Sequence, residues 1–142
     1  MCSTLKFSKI VHSAFELVRA TPESVGLDVK SIEEVDLGPW DRVIVRTGIA
    51  VEPPKGTYVR IASRSGLASK GISVQGGVID PDYTGEIKVI LYNHSNDAFQ
   101  IKPGMKIAQL ITEKVVLPSI LQVDNIETTS SRGDSGFGSS GL

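Results

Sequence analysis

The stretch Gly76-Gly77-Val78-Ile79-Asp80-Pro81-Asp82-Tyr83-Thr84-Gly85 runs directly into Glu86-Ile87-Lys88-Val89-Ile90-Leu91-Tyr92. The second part alternates, with Ile87, Val89 and Leu91 falling on one face, which is the two-residue period of a strand. The first part carries the β-branched pair Val78-Ile79 and then Pro81-Asp82-Tyr83. Proline presets φ and aspartate bonds its own backbone, so this is turn chemistry. The whole stretch predicts a β-hairpin whose return strand is Glu86–Tyr92.

The same pattern extends in both directions. Asp41–Val51 (DRVIVRTGIAV) is β-branched and bounded by Pro39 and Pro53. Thr57–Ala62, Phe99–Ile101, Lys106–Val116 and Ile120–Val123 are further strand-like runs. Pro53-Pro54-Lys55-Gly56 and Lys102-Pro103-Gly104 supply the turns between them. Short β-rich runs broken by Gly/Pro turns predict an all-β sandwich or barrel. The one helix expected is short, near Ser65–Ser69.

Bulk properties bound the function. A chain of 142 residues is the size of one domain, and 40% hydrophobic residues suffice for a core. The formal net charge is −1, which argues against nucleic acid or an anionic membrane as partner. An anionic ligand would be held by a few local cations. The one cysteine cannot form an internal disulfide, and two histidines give no zinc pattern. Lys6 and Lys9 interrupt the N-terminal run, and no stretch reaches the roughly 18–20 apolar residues of a membrane span. A soluble intracellular protein is expected.

The last fifteen residues, Thr128–Leu142, hold five Ser and four Gly. Such a segment buries too little apolar surface to offset its ordering entropy. The expectation is a folded domain over 1–127 and a flexible arm over 128–142. Arg132 and Phe137 nevertheless sit among these glycines. A cation and an aromatic on a strap could also close over a phosphorylated ring.

Several segments carry candidate chemistry. In Ser63-Arg64-Ser65-Gly66-Leu67-Ala68, Arg64 offers a planar fork for phosphate, Ser65 a hydroxyl, and Gly66 close backbone approach. A plain capped helix start with an exposed Arg fits the same residues. Asp80 and Asp82 flank Pro81; one carboxylate could activate water, both could bind a divalent ion, or both could be ordinary turn residues. Tyr83 fits turn packing or a platform under a sugar. Gln109 is polar within Gly104–Ile111, where alternation alone would face it outward.

Taken together, these segments resemble the five ordered motifs of the trimeric dUTPase family. They are Val25-Gly26-Leu27-Asp28, Ser63–Ala68, Gly77–Gly85, Lys106-Ile107-Ala108-Gln109-Leu110, and Arg132–Gly141. The resemblance implies a distorted jelly-roll-like β-barrel with a flexible C-terminal arm, assembled as a homotrimer with shared sites. It implies hydrolysis of dUTP to dUMP and pyrophosphate, which limits uracil in DNA and supplies dUMP for dTMP synthesis. Asp80 would deprotonate the water that attacks the α-phosphorus and accept a bond from the sugar 3′-OH. Tyr83 would stack under the deoxyribose and exclude a 2′-OH. Backbone groups at Gly77, Val78, Ile79 and Lys88 would read uracil. Arg64, Ser65, Gly66 and Gln109 would hold the phosphate chain. Arg132, Gly138, Ser139 and Ser140 would grip from the arm, with Phe137 stacked on the base. Mg²⁺ would be held mainly by phosphates and waters, with Asp28 supporting its water shell.

Departures from the family pattern are Val25 for Ala, Ser63 for Pro, Lys106 for Arg, Asp134-Ser135 for x-Gly, and Ser140 for Thr. Serine at 63 predicts a looser phosphate turn, and lysine at 106 replaces a fork by a point charge. The altered fifth motif predicts a weakened arm. Two rivals remain. A dCTP deaminase, or a bifunctional enzyme of this fold, would carry Arg-Ser-Ser and a catalytic Glu, where this chain has Gly66 and Asp80. A non-catalytic dUTP-binding signalling protein would be expected to lose contacts that are present here. Arg132-Gly133-Asp134 spells an adhesion tripeptide, and Asn93-His94-Ser95 a glycosylation sequon, in a chain without an evident secretion signal.

Overall fold

The computed structural model describes residues 3–138. Within them the chain is all-β apart from one helical turn. The strands are β1 (Lys6–Lys9), β2 (Leu27–Lys30), β3 (Val35–Leu37), β4 (Arg42–Arg46), β5 (Ile49–Glu52) and β6 (Thr57–Ala62). After α1 (Ser65–Ala68) come β7 (Ile72–Gln75), β8 (Val78–Ile79), β9 (Lys88–Asn93), β10 (Phe99–Ile101) and β11 (Lys106–Lys114). They form four antiparallel sheets, ordered β1-β5, β10-β3, β2-β11-β6-β8 and β4-β9-β7. Among the described residues, hydrogen bonding does not link these sheets into one closed ring.

Alternation places the core. On β9, Val89 and Leu91 point inward with the adjoining Ile87, and on β6 Val59 and Ile61 do the same. Val29, Val45, Ile49, Ile72, Ile101, Ile107 and Leu110 join them, so both larger sheets face one apolar interior. Buried polar groups are bonded. Asn93 donates from Nδ2 to the carbonyls of Leu37, Gly38 and Asp97, and accepts from the Ser95 N–H and hydroxyl. With Asn93 fully buried, the sequon cannot accept a glycan in this fold.

Several sequence expectations need correction. Val78–Ile79 and Lys88–Asn93 are not partners in a hairpin. β8 pairs with β6, through Val59↔Ile79 and Arg60↔Val78, while β9 lies between β4 and β7. Residues 80–87 cross from one sheet to the other, because each strand finds its partners in a different sheet. The run Asp41–Val51 is two strands. Gly48 takes φ +71 between them, and a Cβ there would lie 2.6 Å from Val11 Cγ2. Ile120–Val123 is no strand, and Ile120 is almost wholly exposed. Strands β1, β2 and β3 are short and lack the β-branched density of runs such as Arg42–Arg46 and Lys88–Asn93, and β7 is only four residues long.

The outer face of β6 carries an ionic contact. Glu113, opposite Tyr58 in the ladder, accepts from the Tyr58 hydroxyl and, at 2.8 Å, from Arg60 Nε. The Tyr58 bond first, then the Arg60 bond, holds the Glu113 carboxyl below the usual carboxylate range. The same carboxylate raises the Tyr58 phenol and the Arg60 guanidinium. A depressed carboxyl stabilises the fold above its ordinary pKa, and that contribution is lost as pH falls through the folded value. Relative to Glu113→Gln, the parent chain should therefore keep a constant stability margin at neutral pH. The margin should shrink below about pH 4. Denaturant unfolding at several pH values measures it, and a margin independent of pH would exclude this linkage.

Candidate active site

Three strands bring one polar corner together. The register aligns Asp28 of β2, Gln109 of β11 and Ala62 of β6 across one face. Chain continuity then carries Ser63 and Arg64 past the end of β6. A register shift lies between Lys106 and Ala108, so Ile107 and Ala108 are both buried in succession. Such a bulge re-aims a side chain. Here Lys106 reaches Asp28, with Nζ 3.4 Å from Oδ2. Arg64 Nε lies 3.4 Å from the other carboxylate oxygen, and Arg64 Nη1 donates to the Lys106 carbonyl at 3.3 Å. Two cations around one carboxylate leave the corner net positive, with the cations half-exposed and Asp28 mostly covered.

Gln109 and Ser63 tie this corner to the sheet. Gln109 Nε2 donates to the Ser63 carbonyl at 2.9 Å, and Ser63 Oγ accepts the Val74 N–H at 2.9 Å. The serine that departs from the family proline therefore anchors the turn to β7, against the expectation of a looser turn. Gly26 is the counterpart of Gln109. A Cβ at Gly26 would lie 2.0 Å from Gln109 Oε1 and 2.8 Å from its Cβ. At Gly66 an added Cβ would meet nothing within 4 Å, leaving open space beside the exposed Ser65. With only Ser65–Ala68 helical, the helix dipole contributes little.

A second group lies on the segment after β7. Gly77 takes φ +93, and a Cβ there would lie 2.5 Å from the Ile61 carbonyl oxygen, so packing alone demands glycine. Val78 and Asp80 are exposed, and Ile79 is half-buried. The Tyr83 N–H donates to the Asp80 carbonyl at 3.0 Å, closing the Asp80-Pro81-Asp82-Tyr83 turn. The Tyr83 hydroxyl donates to the Glu86 carbonyl at 2.7 Å, and the ring covers Gly85. Lys88 is exposed at the start of β9, opposite Arg46, on the other sheet.

Asp80 and the turn that follows it sit at the opposite end of β6 from the cationic corner. Asp80 follows the Val59↔Ile79 pair and so lies level with Tyr58, whereas Ser65 lies beyond Ala62. The five steps from Tyr58 to Ser63 span about 17 Å at roughly 3.3 Å per residue. The third group is separate again. Arg132 Nε donates to the Ser135 carbonyl in a local turn, Phe137 is fully exposed with φ +50, and Gly138 takes φ +89. Ser139 and Ser140 lie outside the described residues. One chain thus unites Asp28, Arg64, Lys106 and Gln109 beside Ser65 and Gly66. It keeps Asp80 and Tyr83 apart from them.

Residues 14–141 match the dUTPase family. The chain belongs to that family. Deoxyuridine 5′-triphosphate nucleotidohydrolase of Paramecium bursaria Chlorella virus 1 is 48% identical over 141 residues, covering 99% of either chain. The Arabidopsis thaliana protein of the same name is 44% identical over 138 residues, covering 96% of this chain and 82% of its own. Among solved structures, the dUTPase of Staphylococcus bacteriophage 80alpha with dUPNHPP aligns with a TM-score of 0.88 at 29% identity, over 98% of this chain and 99% of that one. A mutant dUTPase from phage phi11 of S. aureus, solved for its coordination of a structural Mg(II) ion, aligns at 0.80 and 26% identity, over 88% and 99%. The fold is therefore the jelly-roll-like dUTPase fold.

In this dUTPase family member, Glu86 and Gly26 make long-range contacts that local sequence does not signal, Glu86 with Arg46 and the Gly48 N–H and Gly26 with Gln109. The two glycines Gly26 and Gly66 make the difference measurable. Gly26→Ala should cost about 1–3 kcal/mol through overpacking against Gln109. Gly66→Ala should stay within about 0.5 kcal/mol or stabilise α1. Chemical denaturation at one fixed protein concentration compares them, and equal costs would refute the packing role of Gly26.

Proposed function

We propose that this chain is a dUTP pyrophosphatase that hydrolyses dUTP to dUMP and pyrophosphate at sites shared between the subunits of a homotrimer. The observation that carries the reading is the separation along β6. The candidate base and sugar platform, Asp80 and Tyr83, lie about 13–17 Å along β6 from the cationic corner in the same chain. A triphosphate held at that corner would meet a loop from another subunit. A heterologous interface around a three-fold axis provides such an encounter. The exposed apolar side chains after β11 support the assembly. Val116, Leu117, Ile120, Leu121 and Ile126 are each more than three-quarters exposed, a run of apolar side chains that a neighbouring subunit would cover.

In this reading the Arg64–Lys106 corner receives the phosphate chain, with the Ser65 hydroxyl and the Gln109 amide beside it. Asp28 keeps both cations in place before substrate arrives, so their charge costs no reorganisation during reaction. Asp80 takes a proton from water as the water oxygen bonds to the α-phosphorus. The bond from that phosphorus to the bridging oxygen breaks, and pyrophosphate leaves with the electron pair. Tyr83 lies under the sugar, where a 2′-OH would clash. Backbone groups at Gly77, Val78, Ile79 and Lys88 meet the uracil edge. Arg132, Phe137 and Gly138, with Ser139 and Ser140, close over the bound nucleotide and exclude water.

The donor set fits Mg²⁺ carried by the substrate. Among the described residues no three carboxylate, His or Cys side chains cluster to hold a metal. Each Asp28 oxygen lies 3.4 Å from a cation, which disfavours direct ligation of a metal and leaves only a contact through metal-bound water. Bound to the triphosphate, Mg²⁺ would screen its charge and orient the phosphoryl groups. Among the described residues, no helix is long and apolar enough to cross a membrane.

Incubation with dUTP, dCTP, dTTP and UTP plus Mg²⁺ should release pyrophosphate from dUTP alone. Ammonia from dCTP would instead assign a deaminase, and no product from any nucleotide would assign a binding protein. Asp80→Ala and Arg64→Ala should each lower turnover by at least about 100-fold. Mixed and reassembled, the two inactive variants should regain part of the parent activity, because some sites then combine an intact loop with an intact corner. Persistently inactive mixtures, with subunit exchange shown by mass spectrometry, would overturn the shared site.

A further inference from the structure

We infer that Glu86 is a positioning residue that fixes the Tyr83 ring and so sets discrimination between 2′-deoxy and 2′-hydroxy substrates. The inference rests on the reading of Tyr83 as the sugar platform. Its physical basis is a chain of bonds leading from the β4–β5 corner to the tyrosine hydroxyl. Glu86 accepts Arg46 Nε at 3.1 and 3.2 Å and the Gly48 N–H at 2.9 Å. Its side chain is only 14% exposed, whereas an ordinary surface carboxylate is mostly solvated. A covered carboxylate shared by a guanidinium and a backbone N–H is held more firmly than a surface pair.

The next peptide unit transmits that placement. The Glu86 carbonyl and the Ile87 N–H belong to one planar trans unit and point in opposite directions. The Ile87 N–H donates to the Ile49 carbonyl at 2.8 Å, and the Thr47 hydroxyl donates to the Ile87 carbonyl at 2.5 Å. With the N–H committed inward to β5, the Glu86 carbonyl is aimed outward, where it accepts the Tyr83 hydroxyl at 2.7 Å. Gly85 supplies the third restraint. A Cβ there would lie 2.7 Å from the Tyr83 hydroxyl oxygen and 2.8 Å from Cζ, so the ring lies directly on that backbone. The ring is held at its tip and on one face, and remains 42% exposed. A steric gate acting at one substrate atom requires a wall that does not yield. The Glu86 clasp makes the tyrosine such a wall.

The measurement is kcat/KM for dUTP and for UTP, with thermal stability, in the full-length chain. Glu86→Ala should lower the dUTP-to-UTP ratio about tenfold, since the freed ring can tilt away from a 2′-OH. Glu86→Gln retains an acceptor for the Gly48 N–H and should restore part of the ratio. In a Tyr83→Phe background, where the carbonyl has no hydroxyl to hold, Glu86→Ala should change the ratio no further. A lower melting temperature with an unchanged ratio would overturn the inference, because loss of structure alone slows both substrates alike. If Glu86→Ala does not fold, Arg46→Met removes the ion pair and keeps the Gly48 bond. An unchanged ratio there would overturn the inference equally. Failure of the underlying reading has its own signature: no dUTP turnover by the unaltered chain, or a Tyr83→Ala ratio equal to that of the parent.

Discussion

Thr57–Ala62 is hydrogen-bonded along both edges, to Lys106–Lys114 on one side and to Val78–Ile79 on the other. A strand paired on both edges can neither slide nor bend without losing ladder bonds, and a slip by one residue would turn Val59 and Ile61 out of the core. β6 is therefore a rigid spacer. One end delivers Ser63, Arg64 and the short helical turn. The other sets the level from which the Asp80 loop departs. The cationic corner and the candidate base owe their separation to this one element.

The alternating runs were legible because burial on one face leaves a two-residue signature, as in Lys88–Asn93 and Thr57–Ala62. The short helix was legible from its Ser-Arg-Ser-Gly start. Strand partners were not. Val78–Ile79 and Glu86–Tyr92 are neighbours along the chain, with turn residues between them, yet their ladders belong to different sheets. Local chemistry specifies that the chain turns and does not specify which edge it then meets. Ile120–Val123 has strand composition but finds no partner among the described residues of its own chain. The residues of the cationic corner were each visible in the sequence. Their mutual contacts were not, because the bulge at Lys106 breaks the alternation that would have oriented that side chain.

Two substitutions relative to the family pattern acquire physical meaning in the fold. Ser63 lacks the φ restraint of proline but compensates with a hydrogen bond from the Val74 N–H, so the turn is tethered from outside instead of stiffened from within. Lys106 supplies one charge without a planar fork. The fork at the corner comes from Arg64, which spans Asp28 and the Lys106 carbonyl at once. Gly26 completes the arrangement by leaving room for Gln109, whose amide reaches the Ser63 carbonyl.

The rigid spacing along β6 also bears on how sequence change can accumulate. Within one chain, alterations at the Asp80 loop and at the Arg64 corner are too far apart to share partners, and their effects on folding should simply add. Across a shared site the same two alterations would face one substrate, and their effects on turnover would be interdependent. Drift in the folding of a single subunit and drift in the catalysis of the assembly would then obey different rules, although the residues involved are the same.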